Sequence, residues 1–409
     1  MIIFILPEFI IFLVPPAIAR YGTTPPLARA SFSFLTPYSH LLFPTNLNII
    51  NYYSTFAKNN ENLNDYWITG FVDGEGSFMV MFVEDQRRKT GWRVYLCFAI
   101  SLHKKDEVIL RKIKKSLGGV GTITSKGHSG VHLRVTDLKG IDKLIKHFDK
   151  FPLITQKRAD AELFKKVYQF MENKEHLTRE GLRKIVALKD QSNHGLSDKL
   201  KKAFPDFVPV SRPIVMNQII EDPNWLTGFT TAEGCYYIDI YRSKSNKLGF
   251  VVRLVFSIGQ HKRDEALLIS FIYYLNCGTV NKNKDICVFR VTKFDDIVNK
   301  IIPLFNNNLI LGVKAEDFND FCKVAEMMKK KEHLGTPRGG GGTGRLRLSF
   351  PLSEYLFSPF RCRSRSPFLD RGKGKERNSE RGKDRQRKGE KEVFRRRAVP
   401  RGGPPPFEL

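Results

Sequence analysis

The stretch that decides the fold is WITGFVDGEGSF, Trp67 to Phe78, because a near copy, WLTGFTTAEGCYY, returns at Trp225 to Tyr237. Residues 67 and 225 stand 158 positions apart, and nearly the same register holds along the chain. FAISLHKKDE (Phe98–Glu107) matches FSIGQHKRDE (Phe256–Glu265), and LRVTDLKGID (Leu133–Asp142) matches FRVTKFDDIV (Phe289–Val298). KEHL ending at Leu177 matches KEHL ending at Leu334. Matched segments in one order mark a tandem duplication.

Each copy reads as helix, strand, strand, helix, strand, strand, helix. Asn64 and Asp222 are good N-cap residues for the motif helices, and Pro223 suits the first helical position of the second. SFMVMFVED and WRVYLCFAI alternate with the strand period, as do CYYIDIYRS and FVVRLVFSI. KDEVILRKIKKSLGG and RDEALLISFIYYLNCG read as helices closed by glycine. Short strand pairs follow near 119–125 and 131–136, and near 278–283 and 286–292. Closing helices begin near Gln156 and Val313. The expected class is α+β, with two pseudo-symmetric αββαββα halves at 61–191 and 222–334. Between them, a helix over REGLRKIVALK leads into a Pro-containing linker at 192–221.

Both ends differ in kind. The apolar run MIIFILPEFIIFLVPPAIA is interrupted by Pro7, Glu8, Pro15 and Pro16, too broken and short for a membrane span, so no membrane partner is expected. The rest of 1–60 is rich in Ser, Thr, Tyr and Phe and poor in acids, which reads as transit-like or as fused upstream sequence. From Gly335 to Leu409 the chain is Arg/Gly/Ser/Pro-rich, with 20 Lys/Arg against 8 Asp/Glu, and is expected to be disordered. Of the formal net charge of +26, this tail carries +12 and the rest of the chain +14, so a basic body remains whose natural partner is a polyanion. Six cysteines without a CxxC pair read as thiols of a reducing compartment, not as a disulfide framework.

Within the motif, Gly70 and Gly74 share one helical face, as do Gly228 and Ala232. Small residues at this spacing let two helices approach closely. Glycine inside a helix costs about 0.5–1 kcal/mol relative to alanine, which mutual packing of the two motif helices would offset. That packing would bring Glu75 and Glu233 together at adjacent helix C-termini. There the helix dipole disfavours a carboxylate, and so does the other carboxylate. Divalent cations relieve both penalties, and hard oxygen ligands suit Mg²⁺. Paired carboxylates with metals beside a polyanion describe phosphodiester hydrolysis.

The two segments resemble the paired motifs of the double-motif LAGLIDADG homing endonucleases, and the resemblance extends over roughly 64–334. It implies that the motif helices form the interface between halves and that each half lays a four-stranded antiparallel sheet in the DNA major groove. It also implies metal binding at Glu75 and Glu233, with Gly74 and Ala232 beside them, and Mg²⁺ as cofactor. The implied activity is double-strand cleavage of a long asymmetric site with short 3′ overhangs, by a monomeric, intron-encoded protein of the mitochondrion. Where the first copy has Asp73, the second has Thr231. Basic groups near the scissile phosphates would be Arg253 and Lys293, whose first-copy counterparts are Tyr95 and Asp137.

Strand alternation sends Phe78, Val80, Phe82, Tyr236, Ile238 and Ile240 inward. Ser77, Met79, Met81, Cys235, Tyr237, Asp239 and Tyr241 then face outward. So do Arg93, Tyr95 and Cys97, Val251, Arg253 and Val255, and Arg134 and Arg290. Arginine reads guanine in the major groove, whereas lysine mostly contacts phosphate. The outward sets differ between halves, so the expected target is asymmetric. Two other readings share the basic surface: an RNA maturase whose partner is its own intron RNA, and a DNA-binding remnant without activity.

Overall fold

The computed structural model describes residues 5–6, 9–10 and 62–331, apart from 194, 217 and 246–248. It divides into two units, 1–55 and 56–409. In the first, β1 (Ile5–Leu6) and β2 (Phe9–Ile10) form an antiparallel pair. The expectations for the rest of 1–60 and for 335–409 lie outside the described residues.

The second unit contains both copies of the repeat. In the first half, α1 (Asp65–Glu75) leads directly into β3 (Gly76–Glu84) and β4 (Trp92–His103). Then come α2 (Glu107–Ser116), β5 (Thr122–Lys126), β6 (Gly130–Val135), α3 (Leu138–Lys150) and α4 (Lys157–Glu172). Helix α5 (Arg179–Asp190) leads into the linker, within which lies α6 (Asp198–Ala203). The second half repeats the plan with α7 (Pro223–Glu233), β7 (Gly234–Arg242), β8 (Phe250–His261), α8 (Glu265–Leu275), β9 (Thr279–Asn283) and β10 (Ile286–Val291). Next, α9 (Phe294–Asp296), a π turn (Ile297–Ile301) and α10 (Ile302–Asn307) run on without a break, and α11 (Val313–Lys329) closes the half. The antiparallel sheets have the orders β3-β4-β6-β5 and β7-β8-β10-β9.

The caps act as their residue types require. The Asn64 side chain accepts from the backbone N–H of Tyr66 and Trp67, and Asp222 accepts from that of Asn224. The inner sheet faces and the helices bury an aromatic core in each half. Phe78 meets Phe98, Phe148 and Phe164, while Tyr236 meets Phe256, Phe305, Phe318 and Phe321.

The motif helices join the halves. A Cβ added at Gly70 would stand 2.0 Å from the carbonyl oxygen of Trp225, and one at Gly228 would stand 2.0 Å from that of Trp67. Each glycine admits the backbone of the opposite helix, which no other residue type could do without separating them.

Three features depart from the sequence-based expectation. Helix α3 and its counterpart at 294–307 follow the second strand pair of each half. In the counterpart, Pro303 removes a helical donor next to the π turn. Helix α8 is closed by Asn276 in the left-handed conformation (φ 50°), not by glycine. A short helix, α6, interrupts the linker; its Leu200 and the following Phe204 are buried in the first core.

Candidate active site

Glu75 and Glu233 are the last residues of α1 and α7, and the helices stay in contact down to these ends. A Cβ at Gly74 would meet Ala232 Cβ at 2.3 Å and Glu233 Cγ at 3.1 Å, so the stem of one glutamate lies against the backbone preceding the other. The two are not equivalent: Glu75 is half-buried, whereas Glu233 is only 3% exposed.

The closing helices bring a lysine to each helix end. Lys157 Nζ donates to the carbonyls of Val72 (3.0 Å) and Gly74 (2.7 Å), and Lys314 Nζ donates to that of Ala232 (3.1 Å). Helix C-terminal carbonyls lack partners within their own helix and carry negative partial charge, so an ammonium is the natural group to meet them. Burial pushes the Lys157 ammonium below its ordinary pKa, while the charges of Asp73, Glu233 and Glu75 act in the opposite direction. On the other side, a cavity of about 480 Å³ brings Glu75, Lys105 and Asp106 of the first half together with Ala232 and Lys314 of the second. Each cluster therefore mixes residues of both halves.

Asp73 lies behind this centre, 3% exposed. Its carboxylate accepts from Ile154 N (3.0 Å), Thr155 N (3.2 Å), Thr155 Oγ1 (2.5 Å) and, across the interface, Trp225 Nε1 (2.8 Å). Burial pushes its pKa up to about 6, against the hydrogen bonds and the Lys157 charge that favour ionisation. In the second half, Thr231 turns its hydroxyl to its own helix, at Thr227 O, and glycine 312 takes the place of Thr155.

The sheet faces away from the helices display the outward set. Ser77, Met79, Met81, Tyr95, Arg134, Cys235, Tyr237 and Asp239 are half-buried, and Arg93, Tyr241, Arg253 and Arg290 are exposed. Arg253 is paired with Asp239 at 2.5 Å and lies over the Tyr241 ring at 5.5 Å. In the first half, Arg93 lies over Tyr95 at 5.3 Å. Cys97 and Val255, expected outward and exposed, are fully buried. Alternation assigns a face and not an exposure, and Arg134 lies over Cys97, its Nη2 3.4 Å from the sulfur. Lys293 is the exposed N-cap residue of α9, and the ammonium groups at the glutamate-bearing helix ends are those of Lys157 and Lys314.

A family profile described as LAGLIDADG endonuclease matches residues 68–168 and 226–325, one match per half. The structure is similar to I-SmaMI bound to uncleaved DNA with calcium ions, at 44% identity and a TM-score of 0.66, over 68% of this chain and 95% of that one. The chain belongs to the LAGLIDADG endonuclease family. I-CpaMI, a LAGLIDADG meganuclease solved on uncleaved DNA, is similar at 38% identity and a TM-score of 0.65, covering 67% of this chain and 94% of that one. Among curated relatives, probable intron-encoded endonuclease 3 of Neurospora crassa is 38% identical over 66% of this chain. Probable intron-encoded endonuclease 2 of the same organism is 37% identical over 72%. The matches span 51% and 66% of those two proteins.

As a LAGLIDADG chain, the protein carries both halves of the fold in one polypeptide, so the centre needs no second subunit to bring the glutamates together. The two carboxylates suit a hard divalent cation; the Gly74 and Ala232 carbonyls, one residue before each, accept from Lys157 and Lys314 in this structure. Lys157 and Lys314 went unnoticed in the sequence, although the register carries one onto the other at the start of both closing helices. No helix among the described residues is long and apolar enough to cross a membrane.

Proposed function

We propose that this LAGLIDADG protein is a site-specific, Mg²⁺-dependent endonuclease that cuts both strands of an asymmetric DNA target, leaves short 3′ overhangs and serves the homing of an intron in the mitochondrion. The reading rests above all on the convergence of two helix-terminal glutamates on the axis between the halves, each beside a buried or half-buried lysine. Glu75 and Glu233, with the carbonyls of Gly74 and Ala232, would hold the divalent cations. When bound, such cations supply an activated water and stabilise the leaving oxygen. Lys157 and Lys314 place positive charge where a phosphate gains negative charge during hydrolysis. The two sheets hold the duplex through Arg93, Arg134, Arg253 and Arg290, with sequence read by base-edge contacts and register set on phosphates. The mitochondrial assignment is supported by relatives named for ND4 and cox1 introns.

The test is cleavage of DNA from the intronless host locus with Mg²⁺, using wild type beside Glu75→Gln and Glu233→Gln. Cutting by wild type, with loss of double-strand breaks in either variant and binding retained in Ca²⁺, is the expected result. Wild type that binds this DNA and never cuts it would sink the proposal.

A further inference from the structure

The segment repeated as HKKDE and HKRDE stands outside the motif helices, yet it takes one shape in both halves. His103 Nδ1 accepts from Lys105 N at 3.2 Å, and His261 Nδ1 accepts from Arg263 N at 3.3 Å. These bonds cap one-turn 3₁₀ helices, Lys104–Asp106 and Lys262–Asp264, each of which ends on an aspartate. Neither aspartate caps the helix that follows it in sequence.

Both instead reach into the opposite half. Asp106 Oδ1 accepts from Val313 N at 2.8 Å, and Asp264 Oδ1 accepts from Gln156 N at 2.7 Å and from Gln218 Nε2 at 3.0 Å. Val313 and Gln156 are the residues immediately before Lys314 and Lys157. The two helices they open, α11 and α4, receive no side-chain cap from their own N-cap residues, Gly312 and Gln156. Asp106 therefore caps α11 across the interface, and Asp264 does the same for α4. An acceptor carboxylate at a helix N-terminus satisfies an orphan donor and matches the dipole. The contact with α11 is close enough to require its glycine: Gly312 has φ +70°, and a Cβ there would strike the Asp106 carboxylate.

We infer that Asp106 and Asp264 are positioning residues that act in trans, each holding the first turn of the opposite half's closing helix so that Lys314 and Lys157 meet the ends of the motif helices. The inference rests on the role proposed above for the two lysines. It also predicts unequal effects. The first-half loop is held further by Asp73 through Ile154 N and Thr155 N and by Gln218 Nε2 at Ile154 O, whereas the second half has Thr231 and Gly312 at the places matching Asp73 and Thr155 and keeps Trp67 Nε1 at Leu309 O, 3.1 Å. Asp106 should therefore matter more than Asp264.

The experiment follows each strand separately on a target duplex labelled differently on its two strands, with Mg²⁺, using full-length protein. Lys157→Met and Lys314→Met first identify which strand each lysine serves. Asp106→Ala should then slow the strand slowed by Lys314→Met by roughly 10–100-fold, in line with the cost of misplacing a catalytic group by about 1 Å. The other strand and duplex affinity in Ca²⁺ should stay near wild type. Asp106→Asn, which keeps an acceptor oxygen, should restore most of the rate. Asp264→Ala should slow the strand served by Lys157, by a smaller factor, and it asks the same question should Asp106→Ala fail to fold. Equal slowing of both strands, or slowing of the wrong strand, overturns the trans-positioning role while leaving the lysine roles intact. If neither lysine variant slows either strand, the lysine roles fall and this inference falls with them.

Discussion

Replacing Gly70 or Gly228 by alanine sets two opposed effects against each other at the interface between halves. In an isolated helix the exchange stabilises by about 0.5–1 kcal/mol, because glycine is the poorer helix former. Here the new Cβ would lie 2.0 Å from a carbonyl oxygen and 2.8 Å from the carbonyl carbon of Trp225 or Trp67. Ordinary contacts of this kind are about 3.5 Å, so the helices must part by on the order of 1 Å or more. The obstacle is backbone on both sides, which cannot rotate away as a flexible side chain could. Overpacking of a tight contact costs about 1–3 kcal/mol, which exceeds the propensity gain. Net destabilisation of roughly 1–2 kcal/mol is expected. The larger effect should fall on cleavage, because the same separation moves Glu75 away from Glu233. A displacement of about 1 Å at a catalytic group can cost on the order of 100-fold in rate.

Urea denaturation of Gly70→Ala, Gly228→Ala and the double variant, with cleavage rates for each, separates these terms. Gly259→Ala provides the control, since its Cβ would find its nearest neighbour at an ordinary 3.9 Å, Val288 Cγ2. The double variant should cost less than the sum of the singles, because the first substitution already opens the interface that the second needs opened. A Gly228→Ala protein as stable as wild type and equally active would refute the assignment of these glycines to close helix approach.

Asp73 gives a pH signature. Its native pKa of about 6 lies above its ordinary 3.8, so its protonated form contributes stability that is fully present below pH 3.8 and is lost as pH rises through 6. The difference corresponds to about 3 kcal/mol. Asp73→Asn should abolish that component of the slope between pH 4 and 7 and, by opposing an amide N–H₂ to the surrounding donors, cost about 1–3 kcal/mol near pH 4. Parallel stability–pH curves for the two proteins, measured by urea denaturation, would count against the burial argument. On the sheet, the Arg253–Asp239 pair should hold the guanidinium for one base pair. Arg253→Lys is expected to relax a guanine preference there by about 1–3 kcal/mol in a binding screen of single-base target variants. Uniform weakening across all variants would instead identify a phosphate contact.

The motif helices, the eight strands of the two large sheets and the two glutamates were legible because each has a local signal: a cap residue, a period of two, a repeated acid. Helix α3 had one too, since Leu138, Ile141, Leu144, Ile145 and Phe148 recur at helical spacing. Its counterpart did not, because Pro303 falls inside FDDIVNKIIPLF, and comparing the copies hid the clearer one behind the less clear. The long-range contacts were out of reach for a different reason. Lys157 meets Gly74 across 83 positions and Asp106 meets Val313 across 207, and no periodicity reports a hydrogen bond between segments so far apart.

The duplication itself nevertheless separates two kinds of position. Gly70 and Gly228, Glu75 and Glu233, Asp106 and Asp264, and Lys157 and Lys314 are alike in both copies, and every one of these pairs lies at the contact between halves. A residue that meets the other half meets nearly the same surroundings as its twin, so one geometry constrains both. On the sheets, Met81 and Tyr95 stand where the second half has Asp239 and Arg253; if each face reads its own stretch of an asymmetric target, as proposed, neither constrains the other. Asp73 and Thr155 are the exception that follows from a bond between them: where the aspartate becomes Thr231, the threonine it binds becomes Gly312. That exchange removes the carboxylate anchor from the loop before α11 and leaves Trp67 Nε1 at Leu309 O beside Asp106. Asp106 is left to carry more of the load, which makes the second half's lysine the more easily displaced of the two.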